Sequence, residues 1–200
     1  MTVRRALLDT CVLWPSLQRD FLLSLAVEGA FEPLLSEGVL CELEVHEELK
    51  LRERHVCDEV EAQQRAAFLV AQMRAAFADC IVTGWERLEG SFRLPDFDDE
   101  HVLAAAVAGR AEWIVTENLR DFPLGRVPSG IRVGTAREFL LEVVEDRQDL
   151  GAEAVRQISS RSGRLHAAQP VEQILDSLDR LYGLEDVTAL IRLRSSQAWG

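Results

Sequence analysis

Short apolar runs bounded by turn residues alternate with longer stretches of helical spacing along the first 146 residues. Val3 to Leu8 reads as a first strand that ends at Asp9. Helical spacing follows from Pro15 to Glu28, with Leu17, Phe21, Leu22, Leu25 and Ala26 on one face and Gly29 as its stop. Phe31 to Leu35 is a short second strand, and Ser36 then caps a helix that reaches Arg54. Cys57 to Ala78 forms a long helix with Val60, Ala67, Phe68, Ala71 and Ala75 as its inner stripe, after which Ile81 and Val82 open a less regular connection. Asp98 caps a helix carrying Val102, Leu103, Ala106 and Val107 that ends near Gly109. Trp113 to Thr116 is a buried strand, Ile131 to Val133 an edge strand, and Thr135 with Glu138 a capping box for a helix to Asp146. Such alternation argues for βα units and a mainly parallel sheet.

After Gln148 the pattern changes to helices only. Pro170 fits the first turn of a helix with Ile174, Leu175, Leu178, Leu181 and Tyr182 on one face, Gly183 ends it, and Val187 to Leu193 is a shorter helix. The expected organisation is a main domain over 1–146 and a helical extension over 147–200, the latter too small to be comfortably stable alone. The chain shows no internal repeat and no long low-complexity linker.

A hydrophobic fraction of 48% in 200 residues is that of a globular chain, and no run approaches the roughly 18 apolar residues needed to span a bilayer. The opening Met-Thr-Val-Arg-Arg leads into an apolar stretch too short for a signal peptide, so a cytoplasmic protein is expected, with no membrane partner. Cys11, Cys41, Cys57 and Cys80 form no Cys-x-x-Cys pair and read as small, mostly buried thiols in a reducing compartment. Residues 1–146 hold 15 basic and 27 acidic side chains, whereas 147–200 hold seven of each, so the formal charge of -12 belongs to the first part. A nonspecific nucleic-acid binder is normally basic, because phosphate neutralisation supplies most of its affinity. A nucleic acid approaching this chain must meet local arginines such as Arg5, Arg93 or Arg120, while the acidic surface also suits a basic protein partner. Trp14, Trp85, Trp113 and Trp199 form no spaced stacking series.

Four acids stand at the ends or starts of predicted elements: Asp9 after the first strand, Glu42 two turns into a helix, Asp99 at a helix start, and Asp121 in Ile-Val-Thr-Glu-Asn-Leu-Arg-Asp-Phe. Ligands of open α/β sheets gather at the carboxyl ends of the strands, the edge where Asp9, Asn118 and Asp121 fall. Two carboxylates about 4 Å apart repel by roughly 4 kcal/mol at an effective dielectric of 20, so such a cluster calls for a cation. An all-oxygen pocket prefers a hard ion such as Mg2+ or Mn2+, which points to phosphodiester hydrolysis. Ser36, Thr10 and Cys11 have no His and acid partners by motif, so no protein nucleophile competes with this reading.

These residues resemble the PIN domain, the metal-dependent ribonuclease fold that includes the VapC toxins of bacterial toxin–antitoxin pairs. The resemblance spans residues 3–143 and rests on Leu-Leu-Asp9-Thr10, on Ser36 with Glu42-Leu43, on Asp96-x-Asp98-Asp99 before Val102-Leu103-Ala104-Ala105-Ala106, and on Ile114-Val115-Thr116-x-Asn118-x-x-Asp121-Phe122. It implies a three-layer α/β/α sandwich with a mainly parallel sheet, extended here by a small all-α C-terminal segment as in larger PIN proteins. It also implies that Asp9, Glu42, Asp99 and Asp121 are metal ligands or water-positioning acids, supported by Thr116, Asn118 and Asp98. Cys11 stands where the family often has Asn or Ser. The implied activity is endoribonucleolytic, with RNA as substrate, Mg2+ or Mn2+ as cofactor, a cognate antitoxin as partner and a homodimer as a possible assembly. The alternative is a catalytically silent PIN scaffold that binds RNA or protein. A phosphoacceptor or phosphatase on a similar sheet is disfavoured, since Lys50 is the only lysine and Cys11 stands where a phosphatase Asp-x-Asp needs its second Asp.

Overall fold

The structure, a computed structural model, describes residues 4–163 and 168–198, with the last four of these described by backbone alone. Val3 and Trp199 therefore lie outside the described residues. The strands are β1 (Arg5–Leu8), β2 (Glu32–Ser36), β3 (Ile81–Val82), β4 (Trp113–Val115) and β5 (Arg132–Gly134). The helices are α1 (Thr10–Leu13), α2 (Ser16–Val27), α3 (Glu37–Glu53), α4 (Glu59–Ala76), α5 (Glu100–Ala108), α6 (Ala136–Asp146), α7 (Gln148–Ser162), α8 (Val171–Tyr182) and α9 (Glu185–Ala198). A five-stranded sheet in the order β3-β2-β1-β4-β5, flanking helices and further helices after Asp146 make up the α/β class that the sequence predicts.

The chain divides into two compact units. One comprises Arg5–Trp14 and Pro33–Val133 and carries the sheet with α1, α3, α4 and α5. Its ladders are parallel: Ala6, Leu7 and Leu8 stand against Trp113, Ile114 and Val115, and Leu35 and Ser36 stand against Ile81 and Val82. Ala6, Leu7 and Leu8 are wholly buried, as a strand covered on both faces requires. Ser36 turns the chain from β2 into α3 by accepting the Val39 amide at 3.2 Å, and Asp58 does the same for α4 by accepting the Glu61 amide at 2.9 Å. In α5, Val102, Leu103, Ala104, Ala105 and Ala106 are all buried, and the run of alanines lets the helix lie close to the sheet.

The other unit gathers Pro15–Glu32 with the chain from Gly134 onward, so that α2, α6, α7, α8 and α9 pack on one another. The Thr135–Glu138 capping box opens α6 as expected. Phe31 meets Phe139 edge-on, with ring centroids 4.9 Å apart, a geometry worth about 1 kcal/mol beyond the burial of the two rings. Gly183 ends α8 in the left-handed conformation, at φ 64°.

Four local expectations are corrected. The inner stripe of α4 is Ala62, Ala66, Val70 and Met73, while Val60 and Phe68 are exposed at 63% and 66%. Alanines lie on several faces of that helix, so spacing alone did not single out the packed one. Ile81 and Val82 form the edge strand β3, too short to register as a strand in the pattern. The capping position of α5 is Asp99 rather than Asp98, and neither side chain caps the helix; the Asp98 amide instead donates to Asp96 Oδ1 at 3.0 Å. The four cysteines are free, but Cys11, Cys57 and Cys80 are only half-buried and Cys41 is exposed.

Gly109, at the end of α5, holds this helix against β2 and β3. A Cβ there would stand 2.8 Å from Val82 Cγ2, 2.9 Å from Leu34 Cδ1 and 3.0 Å from the Ala105 carbonyl oxygen. Gly109→Ala is therefore expected to destabilise the fold by about 1–3 kcal/mol in urea unfolding, whereas a gain in stability from better helix propensity would contradict this packing.

Candidate active site

The sheet order reverses direction between β1 and β4, so the crevice beyond their carboxyl ends is the natural ligand position of the sheet. Asp9 leaves β1 into this crevice, and its amide donates to the Val115 carbonyl at 3.1 Å. The buried Asp9 Oδ2 accepts from the Thr116 hydroxyl at 2.6 Å and from the Cys11 thiol at 2.8 Å. Thr116 Oγ1 in turn accepts the Asn118 amide at 3.0 Å, and Cys11 Sγ accepts the Glu117 amide at 3.1 Å. Burial first, and then the Asp9 charge, pushes the Cys11 thiol up to about 12. At neutral pH it is thus a donor to the carboxylate and not a thiolate. Cys11 therefore has a polar role although it is neither Asn nor Ser.

Glu42 projects from α3 over the same crevice. The Thr10 hydroxyl donates to its Oε2 at 2.6 Å, and His101 Nε2 bonds its Oε1 at 2.9 Å. Burial works upward on this carboxyl, but the bonds from His101 and Thr10 together outweigh it and hold the group below the ordinary carboxylate range. His101 shifts upward in return: burial opposes its charged form, and the hydrogen bond and charge of Glu42 overcome that opposition. His101 Nδ1 is buried without a hydrogen-bond partner, which favours the tautomer that carries its proton on Nε2, since an unpaired acceptor costs less than an unpaired N–H. The imidazole reaches this position because residue 38 is glycine; a Cβ there would stand 2.7 Å from Nδ1.

Asp99 occupies the capping position of α5 without capping it. Burial, followed by the charges of Asp9, Asp121, Asp96 and Glu42, raises its carboxyl to about 6. Asp9, Thr10, Cys11, Trp14, Glu42, His46, Asp99 and Asn118 line an open pocket of about 510 Å³. Of the acids singled out from sequence, the fold brings Asp9, Glu42 and Asp99 to one pocket together with Asn118. Asp121 is not among the lining residues; it sits in a 3-10 turn at Leu119–Asp121, close enough to act on Asp99 and 3.7 Å from the exposed Arg120 guanidinium. Arg5 begins β1, and a rise of about 3.3 Å per residue puts it roughly 13 Å from Asp9, where it lines a different cavity with Thr83 and Arg110. Thr10, His46 and His101 were not among the residues singled out for the site. Spacing carried a signal for two of them: His46 is one helical turn after Glu42, and His101 lies two residues after Asp99.

The family model described as PIN domain matches residues 5–120, more than half of the chain. The chain belongs to the PIN domain family. The match takes in Asp9, Glu42, Asp99 and Asn118 and stops one residue before Asp121. PIN domains are typically metal-dependent nucleases, and the parallel sheet with its flanking helices is consistent with the PIN α/β/α sandwich. No curated protein and no solved structure matches the chain. Among the described residues, no helix is long and apolar enough to cross a membrane.

The donor chemistry of the pocket suits the hard divalent ion that PIN domains use, since Asp9, Glu42 and Asp99 offer oxygens only and their mutual repulsion is what a cation would relieve. The fit lies in charge and donor type rather than in a ready-made shell: among the described residues, no three His, Cys, Asp or Glu side chains stand together at metal-holding geometry.

Because Asp99 holds its proton more tightly in this PIN domain than the ordinary 3.8, folding takes up protons between about pH 4 and 6, and metal-free stability falls as pH rises through that window. In EDTA, Asp99→Asn is expected to melt above the wild type at pH 8, with the difference gone near pH 3. A lower melting temperature at pH 8 would contradict the crowding of charge at Asp99.

Proposed function

We propose that this PIN domain is a divalent-metal-dependent endoribonuclease that hydrolyses RNA phosphodiester bonds, and that it is the toxin of a type II toxin–antitoxin pair. The observation that carries the nuclease reading is the meeting of Asp9, Glu42 and Asp99 in one open pocket, where burial and then the charges of Asp9, Asp121, Asp96 and Glu42 raise the Asp99 carboxyl. A site left permanently in that state would be costly, and Mg2+ or Mn2+ would remove the cost. Asp9 and Asp99 would hold the ion, with Asp121 adding charge that reaches Asp99. When bound, the ion supplies positive charge for the phosphate oxygens and makes a water more acidic.

The chain's own groups supply orientation. Thr116 and Cys11 both bond Asp9 Oδ2 and so fix this carboxylate in the pocket lining. Glu42, gripped by Thr10 and His101, stays ionised and is placed to orient the attacking water. The toxin assignment is supported by the acidity of residues 1–146. A partner with a basic segment would neutralise the pocket without cutting, which is how a restraining antitoxin would act. The existing partners on both Glu42 oxygens, Thr10 and His101, favour a second reading, a silent scaffold that binds RNA or protein, and activity separates the two.

Asp9→Asn or Asp99→Asn is expected to lower Mn2+-dependent cleavage of RNA by at least about a hundredfold with the circular dichroism spectrum unchanged, and full activity in either variant would sink the proposed site. Millimolar Mn2+ is also expected to raise the melting temperature of the wild type, because binding to the native state alone stabilises it by mass action. A melting temperature that ignores the metal would favour the silent scaffold.

A further inference from the structure

The segment between the 3-10 turn at Trp85–Arg87 and the start of α5 has a construction that the pocket itself does not explain. It is pinned at several points. Trp85 is buried, with its ring 6.0 Å from that of His101, and Leu94 is buried as well. Glu100, the residue after Asp99, is only 1% exposed, and instead of meeting a cation its carboxylate accepts two amides, Phe92 N–H at Oε2 (3.1 Å) and Leu94 N–H at Oε1 (2.7 Å). The Glu100 amide donates back to the Phe97 carbonyl at 3.1 Å.

Ser91, Arg93, Pro95, Asp96, Phe97 and Asp98 of this clamped loop are nevertheless exposed, and among them Arg93 and Phe97 offer a cation and an aromatic ring. Arg93, held between the two clamped amides, adopts the left-handed conformation at φ 58°, a state that costs a residue with a Cβ on the order of 1 kcal/mol. Among the described residues it has no ion-pair partner, although this acidic chain pairs many of its other arginines. Phe97 is 68% exposed, two residues before Asp99. A rigid loop that presents one unpaired guanidinium and one bare aromatic ring beside an anionic pocket matches what single-stranded nucleic acid recognition requires, namely a cation for the phosphate and a face for the base.

We propose that the loop of residues 91–98 is a nucleotide-binding site for single-stranded RNA, in which Arg93 contacts a backbone phosphate, Phe97 stacks on an unpaired base, and Glu100 is the positioning residue that locks the loop. This deepens the nuclease reading and rests on it: Arg93 and Phe97 give the strand a foothold next to Asp99, on a loop that also exposes Asp96 and Asp98. Both contacts are independent of base identity, so the site holds the strand without selecting its sequence.

The test is binding of a fluorescently labelled, unstructured RNA oligonucleotide in Mg2+ over a series of salt concentrations, in an Asp9→Asn background that binds without cutting. Adding Phe97→Ala is expected to weaken binding about tenfold with little change in salt dependence. Adding Arg93→Ala is expected to weaken it and to reduce the slope of log affinity against log salt by about 0.7, the value of one single-strand phosphate contact. Glu100→Gln is expected to speed hydrogen exchange at the Phe92 and Leu94 amides by at least about tenfold while protection in β1 and β4 is kept. Unchanged affinity in both surface variants overturns the site even if wild-type cleavage proceeds, and unchanged exchange at the two amides overturns the role of Glu100. Wild-type protein that neither binds nor cleaves RNA overturns the nuclease reading and this site with it.

Discussion

Repulsion between carboxylates is the constraint on which the rest of the site depends. Asp9, Glu42 and Asp99 meet because the sheet reverses its order between β1 and β4 and because α3 and α5 begin or run past that point. At an effective dielectric near 20, each close pair costs a few kcal/mol, comparable to a sizeable part of a domain's net stability. The chain answers this cost unequally. Glu42 is stabilised as an anion by Thr10 and His101, Asp9 receives two donors on one oxygen, and Asp99, desolvated by burial and then acted on by the neighbouring acids, has its carboxyl raised to about 6.

That inequality gives the pocket its chemical character. Hydroxyl, thiol and imidazole donors hold the two acids that need a fixed orientation, and no arginine or lysine is among the side chains that line the pocket. Cys11 contributes to this as a protonated thiol, because burial and the Asp9 charge both oppose its ionisation. Gly38 contributes by absence, since only a residue without a Cβ lets the His101 ring reach Glu42. On the far side of Asp99, Glu100 uses the same logic with backbone amides in place of side-chain donors.

Much of this was legible in the sequence where one residue carried a local physical signal. Ser36 before α3, the Thr135–Glu138 box before α6 and Gly183 after α8 each stand where expected, because caps act within a turn of the chain. Asp9, Asp99 and Asn118 were legible because apolar runs placed them at strand ends and helix starts. The inner face of α4 was not, since its alanines satisfy more than one packing face and only the long-range contact with α3 decides between them. The grip of His101 on Glu42 was equally hidden: those residues are 59 apart in sequence, and nothing local to either shows that α3 and α5 bring them within hydrogen-bonding distance. Asp121 follows β4 as expected, but it lies in a short 3-10 turn and is not among the residues that line the pocket.

The claim that the acids are crowded so that a cation can relieve them is tested most directly at Asp99 itself. Its carboxyl carbon can be followed by NMR through a pH titration, first in EDTA and then with saturating Mg2+. The account predicts a midpoint of about 6 without metal and a clear shift below it with metal, as the added positive charge favours the ionised form. A midpoint that stays the same in both conditions would contradict it.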